Sequence, residues 1–486
     1  MRKIITWVSL LALLASALLL FSGCGQDDGT GKTFLFPLDA MPQRLDPAIA
    51  QTPDELLVVN NIFEGLVRVN EFGSVIPGAA HAWNVLPDGV TYLFHLREDS
   101  HWFLGAQART MLGLEPEDEW DTQVTAHDFA FGLQRAMDER TRAPRADLLA
   151  GITSVEVRNR HTLAITLQEP DDAFLHVLES SVAMPVNQAF FEATRGRFGL
   201  SVRYLLSNGP FYLSLWESNR LRLAQHAGYV GHEEVAPATV NLLVQTSMNH
   251  RVNNLGVEGG WDAAIVPQMN VPDSVQVTRL YNATEVLLLN IEDETLRRVM
   301  LQELTAQDVV QSTYGLLPQG VRIGDDYLHN IAPPVLDDSF TLISTLLNAQ
   351  LRFPVTAAQE SLARSMVQAW QIAFGLDVVV TIEVLEPDAL QARVARGQFD
   401  LAFTTLYARE SSAHRVLQDW VAQLYDSELE IEPTAQGIRA AETHLLEQAV
   451  VLPMRPQHSL LLIAEGVTGF SASSVGDNVF FGAMRK

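Results

Sequence analysis

Few residues in this sequence are arranged for bond-making chemistry. There is a single thiol, Cys24, so no internal disulfide can form, and an unpaired cysteine asks for another role, such as modification or intermolecular pairing. The thirteen histidines are scattered. His95 and His101, like His226 and His232, lie six apart, not at the four-residue spacing that sets two imidazoles on one helix face around a metal. No Gly-x-Ser-x-Gly elbow, His-Glu-x-x-His pair or phosphate-cradling loop occurs. Carboxylates are abundant, but abundance alone makes no catalytic dyad. The expectation is a protein that is not an enzyme and needs no cofactor or metal. With 33 basic against 58 acidic side chains, the net charge of −25 repels phosphate backbones, which argues against nucleic-acid binding.

The chemistry of Cys24 is set by what precedes it. Arg2 and Lys3 give a positive start, Ile4 to Phe21 is an apolar run of 18 residues, and Ser22 and Gly23 are small. This is the layout of a secretory signal. Phe21-Ser22-Gly23-Cys24 resembles a bacterial lipobox, whose cysteine is acylated and becomes the mature N-terminus. Each acyl CH₂ buried in a bilayer contributes about 0.8 kcal/mol, so two chains anchor stably. The competing reading is an uncleaved membrane-spanning anchor, since the apolar run is nearly long enough. The expectation is a signal peptide over 1–23 and a lipidated, flexible tether over 24–32, rich in Gly and Asp.

The rest of the chain must supply a folded body. Apolar residues are 47% and charged residues 19%, as in globular proteins, and 486 residues exceed one ordinary core. Strand-like and helix-like segments alternate, which predicts an α/β architecture. Strands are expected at 33–38, 90–96 (after the turn Pro87-Asp88-Gly89), 161–167, 286–290, 378–384 and 399–403. Helices are expected at 54–65, at 125–137 with Thr125 as cap, at 295–305, and at 361–374. The last of these sets Leu362, Met366, Ala369, Trp370 and Ala373 on one side, before Gly375 as its stop. Residues 103–123, with two glycines and an acidic run, read as an exposed insertion.

A series of motifs runs through these elements in order. Leu45-Asp46-Pro47 precedes Asn61-Ile62-Phe63-Glu64-Gly65-Leu66-Val67. Trp83, Asp88 to Arg97, Trp102, and Val124 to Phe131 with Arg135 follow. Then come Asn208-Gly209-Pro210-Phe211-Tyr212, Asn290 with Leu296-Arg297, Gly397-Gln398-Phe399-Asp400, and Val450 to Met454. Each alone is weak; together, over about residues 33–486, the series resembles the peptide- and nickel-binding family of solute receptors that serve bacterial ABC importers. Most of these residues have structural duties as turns, caps and core positions, so they identify a fold and not a ligand.

The resemblance implies a two-lobed α/β fold of the periplasmic-binding-protein type (class II), with an extra domain on the first lobe and a hinge. Its expected division is 33–70, 190–285 and 450–486 for lobe I, 71–189 for the extra domain, and 286–449 for lobe II. It implies a monomeric, lipid-anchored receptor on the extracytoplasmic face of the cell membrane, which takes a peptide into the cleft and hands it to ABC permease subunits. The alternatives are a receptor of the same fold for a nickel chelate or an anionic or sugar-like solute, or a non-transporting sensor or scaffold lipoprotein.

The resemblance also points to the segment after Gly397-Gln398-Phe399-Asp400 as a ligand contact, where the family places Trp-x-Ala-Asp, its aspartate meeting the ligand's ammonium. Here the segment reads Leu406-Tyr407-Ala408-Arg409-Glu410. Leu406 stands for the tryptophan and Arg409 for the aspartate. A guanidinium repels an ammonium but grips a carboxylate through paired hydrogen bonds. Three readings stay open: Glu410 takes the ammonium, Arg409 takes an anionic group, or Arg409 faces solvent. Tyr407 offers an aromatic wall under each.

Overall fold

A computed structural model describes residues 32–486, apart from 71–73, 172–173, 273–274, 308, 311–314, 319, 324–325, 328–348, 409–411, 426–428, 430, 433 and 473–478. The signal-peptide expectation and Cys24 lie outside the described residues. The chain folds as a two-lobed α/β protein, built on sheets of four strands and a smaller parallel pair.

The first lobe holds two of the sheets. In one, Lys32–Leu38 runs parallel to Pro237–Val244, followed by Arg220–Gln225 and Phe211–Trp216 in antiparallel order. The other is fully antiparallel, in the order Ala80–Val85, Thr91–Leu96, Thr162–Leu167, Ile152–Asn159. One continuous core, including Phe34, Phe36, Val58, Phe94, Phe129 and Phe211, lies beneath them. Helix Pro53–Ile62 starts at a reciprocal cap: the Thr52 hydroxyl accepts from Glu55 N–H, and the Glu55 carboxylate accepts from Thr52 N–H. Helix Ala126–Met137 starts at Thr125, as expected. There the Asp128 carboxylate does the work, accepting from both the amide and the hydroxyl of Thr125 at 2.8 and 2.9 Å.

The second lobe is organised around a sheet used on both faces. Its strand order is Ala263–Pro267, Val451–Ile463, Gln276–Leu289, Leu401–Tyr407, all antiparallel. Side chains alternate across a strand, and the cores follow that alternation. Val286, Leu288, Ala402 and Leu406 join Trp420 and Leu445 on one side. Leu287, Leu289, Leu401 and Phe403 join Met300, Phe353 and Trp370 on the other. A parallel pair, Ala349–Val355 and Val378–Val384, is connected through helix Glu360–Phe374.

Two of the strands pass from one lobe to the other. Leu280, Leu461 and Ile463 lie in the first-lobe core, whereas Val286 to Leu289, Val451 and Leu452 lie in the second-lobe cores. Between them the pairing register slips twice, at Leu280/Ala283 and at Glu285/Val286. Bulges bend a strand pair and raise its twist, so the ladder changes direction where it leaves one core and enters the next.

Two expectations need correction. Residues 103–123 contain a helix, Ala106–Leu112, which buries Ala108 and ends at Gly113 with φ 71°; the surrounding acidic run hid its short apolar pattern. In helix Glu360–Phe374, Ala373 is exposed and Leu362 is 38% exposed, while Ala363 and Val367 are buried with Met366, Ala369 and Trp370. The buried stripe is rotated from the expected one because Trp370, whose indole N–H donates to the Met300 carbonyl at 2.8 Å, sets the contact face.

Candidate functional site

Strand Leu401–Tyr407 delivers the expected ligand segment, and the alternation of the strand decides which side chains are on offer. Leu406 is 6% exposed and packs into the core beside Trp420. Tyr407 points the other way, past the end of the opposite core, and is 62% exposed. Arg409 and Glu410 lie outside the described residues. Tyr407 pairs with Ala283 and Leu406 with Thr284, so the strand ends beside the register slips between the lobes. Here too the Glu285 carboxylate, on the crossing strand, accepts from Arg455 and Gln457 of the neighbouring strand. Leu406 and Tyr407 therefore lie at the seam of the two lobes.

A second contact between the lobes was not visible in the sequence. Helix Ala413–Tyr425 begins just beyond 409–411 and carries Arg415. The Arg415 guanidinium donates to the Asp171 carboxylate and to the Leu148 carbonyl, both on the first lobe. A cavity of about 220 Å³ adjoins this contact, lined by Asp147 and Leu148 on one side and by Arg415, Asp419 and Trp420 on the other.

The loop that leaves the first strand is held by carboxylates. Asp54 accepts from the amides of Asp39 and Ala40, and Glu55 from those of Gln43, Arg44, Gln51 and Thr52. Buried Arg251 reaches Asp39 at 2.6 Å and the carbonyls of Gln245 and Ile265. Burial pushes the Asp54 carboxyl above its usual range, against the pull of those amides.

A larger cavity, of about 270 Å³, lies within the first lobe, with Glu64, Arg68, Tyr229 and Phe480 among its lining residues. Glu64 Oε1 accepts from the Tyr229 hydroxyl at 2.7 Å, and Arg68 Nε stands 3.5 Å away. Burial raises the Glu64 carboxyl, and burial with the nearby Glu64 charge raises the Tyr229 phenol. Nearby, the buried His226 ring sets Nδ1 3.1 Å from the Gly209 carbonyl and its edge on Phe103; burial holds it down to about 4. Glu64 thus has an evident structural duty: with Asn208, whose amide bridges the Glu64 backbone at 2.9 and 3.1 Å, it ties helix Pro53–Ile62 to the Asn208-Gly209-Pro210 turn. Among the described residues no group of three or more His, Cys, Asp or Glu is placed to hold a metal ion. No helix of the described residues is long and apolar enough to cross a membrane.

Comparison with known proteins agrees with this geometry. Residues 74–301 match the family described as "Bacterial extracellular solute-binding proteins, family 5 Middle". The chain is 28% identical over 223 residues to the oligopeptide-binding protein AliB of Streptococcus pneumoniae, a match that covers 43% of this chain and 32% of AliB. The aligned region thus spans about a third of that relative's length. Similarity in structure extends further. The pheromone receptor PrgZ superposes with a TM-score of 0.68 at 18% identity, covering 94% of this chain and 99% of PrgZ. OppA of Haemophilus influenzae, in complex with RPPGFSPFR, superposes with a TM-score of 0.66, also at 18% identity and over 94% and 99% of the two chains. At such identities the likeness establishes the fold.

Proposed function

We propose that the chain, whose residues 74–301 match the bacterial extracellular solute-binding proteins of family 5, is a peptide receptor that closes two lobes around its guest and passes it to an ABC permease. The observation that carries this reading is the seam: separate cores joined by two strands whose register slips between them, with Tyr407 open beside the slips. A hinge of this kind lets two rigid bodies rotate, and closure around a ligand is the usual use of such a joint. The names of the relatives support the class of guest: AliB is an oligopeptide-binding protein, and OppA was solved with a peptide in place.

On this reading Tyr407 forms one wall of the cleft, Arg409 or Glu410 meets a charged end of the guest, and Leu406 serves the core behind them. Lobe I comprises 33–70, 190–285 and 450–486, with the extra domain at 71–189 and lobe II at 286–449; strand Val451–Ile463 starts against the second-lobe cores at Val451 and Leu452 before it enters lobe I. The receptor works as a monomer, without enzymatic activity, tethered to the outer face of a membrane by acylated Cys24. The single cysteine and the apolar run before it support the anchor.

Native mass spectrometry of protein purified from its own cells is the direct test. Bound species that sequence as peptides are the expected result. Cargo of another chemistry, or no binding heat against a mixed peptide library, would sink the reading. Mass analysis of the N-terminal fragment, with a diacylglyceryl adduct on Cys24 expected, tests the anchor separately.

A further inference from the structure

We infer that Arg415 is a positioning residue for the cleft: through Asp171 and the Leu148 carbonyl it holds the second lobe against the first and so sets how far the cleft opens when empty. The inference rests on the two-lobed clamp of the preceding section but needs no identified guest.

The guanidinium is committed to the first lobe, one nitrogen to the Asp171 carboxylate and another to a main-chain carbonyl. Its own helix packs on the second-lobe core through Val416, Leu417, Trp420 and Val421. Leu148 belongs to the first-lobe core, as does Leu167, four residues before Asp171. The contact therefore joins two rigid bodies at points 244 and 267 residues apart in sequence. The pair is neither fully desolvated nor fully screened, with the Arg415 and Asp171 side chains 18% and 22% exposed. A charge pair at that depth is strong enough to bias an arrangement and weak enough to part.

The neighbouring cavity points the same way. A permanently fused interface packs to the density of a core, whereas this joint keeps about 220 Å³ of space beside charged groups. It is built as a contact that forms and breaks. Its location ties it to recognition, because the helix carrying Arg415 starts directly after 409–411, the segment proposed to meet the guest.

Pulsed electron resonance on ligand-free protein tests this. Spin labels are placed by Val85→Cys in the first lobe and Ile372→Cys in the second, both exposed, in a full chain carrying Cys24→Ser. Arg415→Ala and Asp171→Asn are each expected to add a longer-distance population. The double exchange Arg415→Asp with Asp171→Arg is expected to remove most of it, which a merely structural role would not produce. An unchanged distance distribution in folded Arg415→Ala overturns the inference. If that variant does not fold, as judged by circular dichroism, Asp171→Asn decides on the same terms. Failure to bind peptide leaves the measurement intact, since no peptide is added.

Discussion

The two lobes solve the same problem, burying a sheet, by different means. The first is assembled from distant parts of the chain and is stitched by buried polar side chains. Asn61 bonds the Val479 carbonyl and the Phe481 amide across about 420 residues. Arg135 forks onto Asp46, 89 residues away, and buried Asp262 is met across 224 residues by the exposed Lys486. The second lobe is held mainly by apolar contact on both faces of one sheet, with Trp370 and Trp420 as its largest fully buried side chains. Apolar burial is not directional, whereas a hydrogen bond to a given carbonyl fixes one register. Where the second lobe joins remote segments it uses the same fixing at fewer points: buried Glu442 accepts from the Leu316 and Leu317 amides, and Arg297 donates to the Gln448 carbonyl.

The contrast can be broken by mutation, because multidomain proteins need not unfold in one step. The largest effect is expected from Trp370→Ala, which opens a cavity in the second lobe and removes the indole donor from the Met300 carbonyl, at a cost of about 4 kcal/mol. Calorimetry should show one lobe's transition lowered and the other unmoved; a uniform shift of a single transition would refute separate cores. Next is His226. Its folded-state ring is held down to about 4 against about 6.5 when unfolded, so the unfolded chain binds the proton more readily between those values. Stability is therefore complete above pH 6.5 and falls as the pH drops towards 4, by about 3 kcal/mol in the first lobe. Urea titrations of His226→Gln across that window should be flatter than those of the parent, and an equal slope would remove His226 as the cause.

Asn61→Ala leaves a buried amide and carbonyl without partners and should cost the first lobe roughly 2 kcal/mol, with the C-terminal segment gaining hydrogen exchange before the rest. If Trp370→Ala and Asn61→Ala lower the same transition, the two-lobe contrast fails. A smaller effect concerns the seam. Arg409→Ala is expected to change affinity for an identified guest at least tenfold, about 1.4 kcal/mol, by calorimetry; no change would remove this residue from the site. Smallest of all, Ile372→Ser on the second lobe's exposed helix face should stay within about 0.5 kcal/mol.

What could be read from the sequence follows the range of each signal. Helix Pro53–Ile62 and the Thr125 cap of helix Ala126–Met137 were legible because their determinants lie within about a dozen residues, whereas the Thr52 cap was not read. Strand Val378–Val384 declared itself through β-branched residues. The 14-residue strand Gln276–Leu289 was seen only as its last residues, since the slips at 280–286 break its alternation. Leu406 and Tyr407 were named together, yet adjacent residues of a strand face opposite ways, and only the pairing with Ala283 and Thr284 tells which one is on offer. Arg415 and Asp171 left no local trace, because their meaning exists only once two remote segments are in place.

The order of the shared sheet has a consequence for how the chain is made. Val451–Ile463, the last of its long strands to be synthesised, lies between Ala263–Pro267 and Gln276–Leu289, which come nearly two hundred residues earlier. Until that late piece has emerged where the chain folds, both earlier strands present bare edges, the kind of template on which chains stick to one another. The nascent protein must wait, with its central seam unzipped, for its own tail.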